Sequence, residues 1–317
     1  MRIYVTGGTG LVGSNFIKVA VEHHQAKVFT TVNKYQPSPP VAFEYDTVDM
    51  CNRDQVLRTV RAFRPDAIVH LAYLNDFQLM YRDRKLGWQS LVEATRYLAE
   101  AAREVEAKMI LVSTDWVFDG TQSPADETTP PNPINYYGIM KAVGETLIGA
   151  MTEDWAVARI AGVYGVHWLR PEWRPTQNAG FGYFPNAVVE PLSHKQPFTV
   201  WDRDVNVRAT PTLAAEVGEM LMQIIKRDRR GIFHCCGAEC ITRVDFARAT
   251  AEVFELDPDL IRVGSYDPAD PGSLHGLPVP RDTCLSADYT ASELQHPLLD
   301  VRQSLAEFRK QVETMTI

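Results

Sequence analysis

No apolar run in the 317-residue chain approaches the ~18 residues of a membrane-spanning helix. The amino terminus reads as strand and turn rather than as a charged leader, so a cytoplasmic protein with no membrane partner is expected. Positive charge is also short. Against 40 Asp and Glu there are 32 Lys and Arg, a net charge of −8, which argues against nucleic acid and leaves a small molecule as the expected partner. Cysteine is sparse and odd in number, at positions 51, 235, 236, 240 and 284, so a disulfide framework is not expected. His234, Cys235, Cys236 and Cys240 lie close together but contain no Cys-x-x-Cys. The spacing is wrong for zinc, and 231–236 reads better as a buried strand, so no metal is expected. Internal repeats and low-complexity segments are absent, and the length suits about two domains of ~150 residues.

What is present begins at the first residues. Met1-Arg-Ile-Tyr-Val-Thr-Gly-Gly-Thr-Gly-Leu-Val-Gly13 carries a short apolar strand straight into Gly7, Gly10 and Gly13. An amphipathic segment follows, with Leu11, Val12, Phe16, Ile17, Val19 and Ala20 apolar. Glycine lets the backbone turn sharply against a pyrophosphate, while the next helix aims free N–H groups and its positive dipole end at the phosphates. Glycine-rich turns are common; this one's place between strand and helix makes it a dinucleotide entry.

Apolar runs and helical periods then alternate. Strands are expected at 27–32, near Phe43, and at 67–71, 109–113 and 155–160, with helices at 54–64, 86–105 and 137–150. This order implies right-handed crossovers and an α/β fold, a Rossmann-type doubly wound parallel sheet. The regularity breaks after Gly165. Residues 167–185 hold Trp168, Trp173, Phe181 and Tyr183 in a loop too long for a passive connector. Stacking on a nucleotide base and packing onto the body both remain open for these rings. A helix at 212–226 and a strand at 232–235 return to the sheet, and Thr242-Arg-Val-Asp245 reads as a capping signal. The expected division is a dinucleotide-binding domain over 1–165 plus about 207–237, and a smaller C-terminal α/β substrate domain over about 166–206 plus 238–317.

The fifth strand ends in Ser113-Thr114-Asp115, and Tyr137-Gly-Ile-Met-Lys141 follows. A four-residue spacing puts tyrosine and lysine on one helix face. The ammonium can then favour phenolate and lower the tyrosine pKa from its usual ~10, making it a usable proton donor. Tyr81-Arg-Asp-Arg-Lys85 has the same spacing. It lies amid charges without a hydroxyl-bearing strand end upstream, and reads as a solvated helix start. Tyr137 and Lys141 follow a strand end that meets the ligand crevice of a parallel sheet.

With these residues assembled, the chain resembles the extended short-chain dehydrogenase/reductase superfamily and, within it, the dTDP-4-dehydrorhamnose reductase family. The matching segments are 6–13, 64–72, Ser113-Thr-Asp-Trp-Val-Phe-Asp-Gly120, Asn132-Pro-Ile-Asn-Tyr-Tyr-Gly138, Lys141, Gly144-Glu145, 163–165, 209–212 and 231–234. The resemblance implies NADPH-dependent reduction of a ketone on a nucleotide-linked (dTDP-type) deoxysugar. Tyr137 would protonate the developing alkoxide, Thr114 would hydrogen-bond the carbonyl oxygen, and Lys141 would hold the nicotinamide ribose. Thr9, Leu11 and Val12 would join the three glycines at the cofactor. Asp49 and Met50 would flank the adenine, and Leu71, Ala72 and Tyr73 would line the cofactor past the fourth strand. Asp115, Trp116, Arg208 and Arg281 would meet the substrate. Related dehydratases carry an acidic pair after the threonine; Asp115 is followed here by Trp116, which argues against elimination.

A carboxylate about 20 residues past the glycine turn holds the ribose 2′-hydroxyl of NAD. Thr30-Thr-Val-Asn33-Lys34 supplies none. NADPH is therefore expected, with NADH the alternative and a solvated Lys34 the plain reading of that residue. Three departures qualify the resemblance. Leu91 stands where relatives commonly carry an asparagine that organises a catalytic water. The segment Val279-Pro-Arg-Asp-Thr-Cys-Leu285 lacks the family's leading arginine, for which Arg281 would substitute. The aromatic loop is longer by about ten residues. The chain is also similar to the regulatory beta subunit of methionine adenosyltransferase at 231–237 and 280–285, so a non-catalytic NADP-binding subunit is the alternative function. A nucleotide-sugar epimerase is a third, disfavoured by the missing acid near Asn33. Relatives dimerise through two long helices, here 86–105 and 137–150, which makes a homodimer the expected assembly.

Overall fold

The computed structural model describes residues 1–38, 40–170, 177–203, 205–265 and 277–317. Trp173, offered above as a stacking ring, lies outside the described residues. β1 (Arg2–Thr6) leads through the glycine turn into α1 (Leu11–Glu22), followed by β2 (Lys27–Val32), β3 (Glu44–Thr47), α2 (Arg53–Phe63) and β4 (Ala67–His70). Helices α3 (Phe77–Arg82), α4 (Arg84–Trp88) and α5 (Ala94–Val105) lead to β5 (Lys108–Thr114), and α6 (Tyr136–Met151) to β6 (Trp155–Ile160). Then come β7 (Val163–Tyr164), α7 (Phe184–Ser193), β8 (Phe198–Trp201), β9 (Arg208–Ala209), β10 (Thr212–Leu213), α8 (Ala214–Lys226) and β11 (Gly231–His234). The chain closes with β12 (Ile241–Thr242), α9 (Arg243–Val253), β13 (Ile261–Gly264), β14 (Asp282–Thr283), α10 (Asp288–Leu294) and α11 (Val301–Thr314).

Seven strands form one sheet in the order β11-β6-β5-β4-β1-β2-β3, and every pairing in it is parallel. Period-two alternation sends successive β1 side chains to opposite faces. Ile3 and Val5 pack with Phe16 and Val19 of α1 and Val217 and Leu221 of α8. Tyr4 packs with Val56 and Val60 of α2 and Leu98 of α5 on the other face. β4 and β5 are buried throughout, as strands covered by helices on both faces must be. The direction in which strands are added reverses between β1 and β4, and there the loops leaving their C-terminal ends part to form a crevice. A separate apolar cluster joins Tyr164, Phe181, Phe184, Phe246 and Phe308. It gathers side chains from 164–215 and 246–308, and it supports the smaller sheets β12-β9-β14 and β13-β8. Among the described residues no helix is long and apolar enough to cross a membrane.

Two expectations need correction. The helix at 86–105 is not unbroken: a π-turn at Gln89–Glu93 separates α4 from α5. Ser90 and Thr95 donate their hydroxyls to the carbonyls of Gly87 and Leu91, competing with the regular backbone ladder where the register changes. The cysteines are not all free, because Cys240 and Cys284 form a disulfide. β9 pairs with β12 on one side and β14 on the other, which brings two residues 44 apart in sequence to a Cα separation of 5.3 Å. Cysteine spacing carries no trace of such a non-consecutive pairing. A cross-link closing a loop of this length stabilises by about 2–4 kcal/mol through the unfolded state. Cys284→Ser, or reductant, should lower the unfolding free energy by that amount in urea titrations; an unchanged midpoint would mean that the bond contributes nothing.

Candidate active site

The glycine turn is shaped by close contact. Gly7 has φ +72°, and a Cβ there would stand 2.8 Å from the Ala72 nitrogen; one on Gly13 would stand 2.2 Å from the Gly7 carbonyl oxygen. Gly10 N–H donates to that same oxygen at 3.0 Å. Gly10 precedes α1 and has no side chain with which to cap it, so the first-turn N–H groups face the crevice as an anion cradle. The residues therefore fit a dinucleotide pyrophosphate. Thr9 and Leu11 are buried beside the turn, with Val12 half-buried. Thr6 holds the opposite wall: its hydroxyl accepts from Leu71 N–H and Ala72 N–H, both at 3.1 Å, and meets His70 Nδ1 at 2.7 Å. With both acceptor positions taken, the hydroxyl proton goes to His70, whose Nδ1 must accept. Burial, assisted by the Lys141 charge, pushes the His70 pKa down to about 3, which keeps the ring neutral. Tyr73 is partly exposed beyond this wall. Asn33 and Lys34 are exposed past β2; Asp49 accepts from Cys51 N–H at 2.9 Å, and Met50 packs against the α2 side of the core.

Thr114, Tyr137 and Lys141 meet at the ends of β5 and α6. Asn135 caps α6 by accepting from Gly138 N–H at 2.8 Å, and the buried face of the helix carries Tyr137, Lys141 and Glu145. Lys141 Nζ donates to the Val112 carbonyl at 2.9 Å and lies 5.3 Å from the Tyr73 ring centre. Thr114 accepts from Trp116 N–H at 3.2 Å and donates to Asp115 Oδ1 at 2.9 Å. Rings of Tyr73, Phe77 and Trp116 surround Tyr137 at 5.7, 5.2 and 6.1 Å between centroids. Tyr81, read above as solvated, instead accepts Tyr136 N–H on its phenol oxygen at 2.8 Å. It belongs to α3 whereas Lys85 belongs to α4, so the matching spacing never forms one helix face.

Burial governs the titration of this site. The Tyr137 phenol is raised well above 10 by desolvation and by Tyr73, against an opposing hydrogen bond from Thr114. The expected lowering by Lys141 is thus overturned, because loss of water penalises the phenolate more than its neighbours relieve it. Desolvation also lowers Lys141 to about 8, opposed by Glu145, and raises Asp115 to about 6, opposed by hydrogen bonds from Thr283 and Thr114.

Two buried arginines had no sequence signal. Arg159 on β6 meets Glu145 through Nε at 3.1 Å and Nη2 at 2.7 Å, and Ser113 donates to the same carboxylate at 2.5 Å. Its Nη1 points to His234 Nε2 at 3.3 Å, and His234 Nδ1 faces the Ser286 carbonyl at 2.9 Å. Since guanidinium only donates, His234 is a neutral imidazole with its proton on Nδ1. Arg243 donates to the carbonyls of Asn178, Ala179, Gly180 and Asn206 and clamps the end of the aromatic loop. Trp168 of that loop packs on α1, donating to Asn15 Oδ1 at 2.9 Å beneath Lys18, while Phe181 is buried in the second core. Arg208 pairs with Asp282 at 2.8 Å. Arg281 is exposed, and its carbonyl accepts from Val207 and Arg208.

A doubly wound parallel sheet with a glycine-walled cradle, and a hydroxyl, phenol and amine at its reversal point, defines a Rossmann-type protein. The chain belongs to the RmlD substrate-binding domain family, which matches residues 1–314. It is similar to methionine adenosyltransferase 2 subunit beta from Bos taurus, 28% identical over 261 residues that span 82% of this chain and 74% of the relative. It is similar to dTDP-4-dehydrorhamnose reductase from Aggregatibacter actinomycetemcomitans, 25% identical over 260 residues, 78% of this chain and 77% of the relative. Its fold superposes on dTDP-4-dehydrorhamnose reductase from Bacillus anthracis, solved in complex with NADP. That match has a TM-score of 0.79 at 20% identity and covers 99% of this chain and 98% of the other.

Removing one partner from a buried ion pair leaves an uncompensated charge and costs about 3–5 kcal/mol. Glu145→Ala should lose stability on that scale in urea denaturation followed by circular dichroism. A loss below about 1 kcal/mol, the scale of a surface pair, would show that the pair does not hold α6 to the sheet.

Proposed function

We propose that the protein is an NADPH-dependent ketoreductase acting on a nucleotide-linked, dTDP-type 4-keto-deoxysugar. The observation that carries this reading is the meeting of Thr114, Tyr137 and Lys141 beside the glycine cradle. The reductase names among its relatives support it. When bound, the nicotinamide supplies the hydride. Lys141, fastened by the Val112 carbonyl, offers its remaining N–H bonds to the ribose hydroxyls. Thr114 hydrogen-bonds the substrate carbonyl, and Tyr137 passes its phenolic proton to the oxygen as negative charge develops there. Asp115 and Trp116 border the substrate side, and Arg208 and Arg281 are proposed for the diphosphate. Asn33 and Lys34, neutral and cationic at the exit of β2, suit the 2′-phosphate of NADPH.

A second reading is a non-catalytic NADP-binding subunit, in keeping with the subunit relatives. The enclosure of Tyr137 by Tyr73, Phe77 and Trp116 favours it, because a ketone reaches the phenol only where those rings give way. A screen of nucleotide-linked and free ketones for NADPH oxidation separates the two. Turnover of a dTDP-linked ketone supports the reductase, and a blank screen with tight NADPH binding supports the subunit.

Tyr137→Phe should cut ketone-dependent NADPH oxidation by about 10²-fold or more with NADPH affinity nearly intact; near wild-type turnover would remove Tyr137 from the mechanism. Fluorescence titration should show NADPH bound more tightly than NADH, with Lys34→Ala narrowing the gap. Tighter NADH binding would defeat the role given to Lys34.

A further inference from the structure

Leu91 is buried in one apolar cluster with Trp116, Tyr137 and Met140. The helix side of the phenol is therefore filled with hydrocarbon. On the opposite side the structure offers a polar path. Asn206 Nδ2 donates to Thr283 Oγ1 at 2.6 Å, Thr283 donates to Asp115 Oδ2 at 2.5 Å, and Thr114 bonds Asp115 Oδ1 at 2.9 Å and faces Tyr137. All five residues are buried. The chain crosses from β14 to the end of β5, so two distant segments of sequence meet on a single carboxyl.

We propose that Asp115 is the proton reserve that reloads Tyr137 through the Thr114 hydroxyl, with Thr283 and Asn206 as the positioning residues that hold its carboxyl. This rests on the reductase reading above. Reduction breaks the Tyr137 O–H bond and leaves a phenolate. Once product departs, the Asp115 Oδ1 proton moves to Thr114 Oγ1 as the Thr114 proton moves to the phenolate. Two O–H bonds break, two form, and no electrons are exchanged. The carboxylate left behind recovers its proton from solvent water. The relay needs one hydroxyl rotation: Thr114 donates to Oδ1 and Thr283 to Oδ2 when the carboxyl is ionised. Once Oδ1 carries the acid proton, the Thr114 hydroxyl turns to donate to Tyr137 and accepts from Oδ1 on the lone pair that Trp116 N–H does not take.

Burial pushes Asp115 up to about 6, so the carboxyl exchanges its proton in a usable range. The titratable groups facing it are the Tyr137 phenol from α6 and the Cys236 thiol beyond β11. The charged pair Arg208–Asp282 sits one residue from Thr283. A reserve acts while protonated, so turnover should fall as pH rises through the Asp115 pKa. The Thr283 hydrogen bond lowers that pKa, and removing it moves the fall to higher pH.

The test is the pH profile of kcat for four proteins. Asp115→Asn should lose the alkaline limb and about tenfold to hundredfold in kcat, with NADPH affinity little changed. Thr283→Val should raise the limb by about one pH unit, and Thr283→Ser should restore the wild-type profile. Asp115→Asn retaining rate and limb, or Thr283→Val moving nothing, would overturn the proposal. Infrared titration of the carboxylic C=O stretch, assigned by its loss in Asp115→Asn, gives a readout independent of turnover. If no ketone is reduced, the reductase reading fails and the proton relay with it. The held carboxyl is then judged separately: a band titrating near 6 that shifts in Thr283→Val supports it, and a carboxylate ionised at all pH values overturns it.

Discussion

Glu145 on α6 facing Arg159 on β6 is the contact on which the site depends. A guanidinium with no exposure to water must have its donors met, and for Arg159 the partner is a carboxylate whose own remaining lone pairs must in turn be satisfied. Ser113, one residue before Thr114, provides that satisfaction. The network thus fixes the rotation of α6 about its axis and the height of β5 together. Tyr137 and Lys141 lie two turns and one turn before Glu145 on the same buried face, so their positions relative to Thr114 follow from an ion pair that touches no ligand. His234 extends the network to β11 and Ser286, tying the edge of the sheet to the C-terminal segment.

The second organising effect is exclusion of water. Tyr137 and Asp115 are raised while Lys141 and His70 are lowered; in each case desolvation favours the uncharged form. A dry site strengthens every hydrogen bond made within it and makes charge costly until a partner arrives. The aromatic enclosure of Tyr137 is part of the same effect. So is the filling of the helix side by Leu91, which leaves the polar route through Thr114, Asp115 and Thr283.

Legibility in the sequence followed range. The glycine turn, the alternating strands and helices, and the Thr242 cap were readable because each depends on neighbours within a few residues. Thr242 does accept from Asp245 N–H. Tyr81 and Lys85 failed for the complementary reason. Their spacing matches that of Tyr137 and Lys141, but Asp83 caps a new helix between them by accepting from Leu86 N–H, and the Tyr81 phenol is drawn to the start of α6. The Cys240–Cys284 bond, the Arg243 clamp and the Thr283 hydrogen bond to Asp115 were invisible, since each joins segments 37 or more residues apart.

By itself the sequence determined a Rossmann-type chain with a phosphate cradle at its start and a phenol and an amine one turn apart on a helix. These are consequences of backbone sterics and side-chain period, which act locally. Tertiary structure alone decided the protonation preferences of those groups, the packing of Leu91 into one cluster with Tyr137, and the attachment of Asp115 to a strand near the far end of the chain. The physical reason is that desolvation and buried hydrogen bonding depend on everything packed around a group, and that surrounding comes from parts of the chain that no local pattern connects.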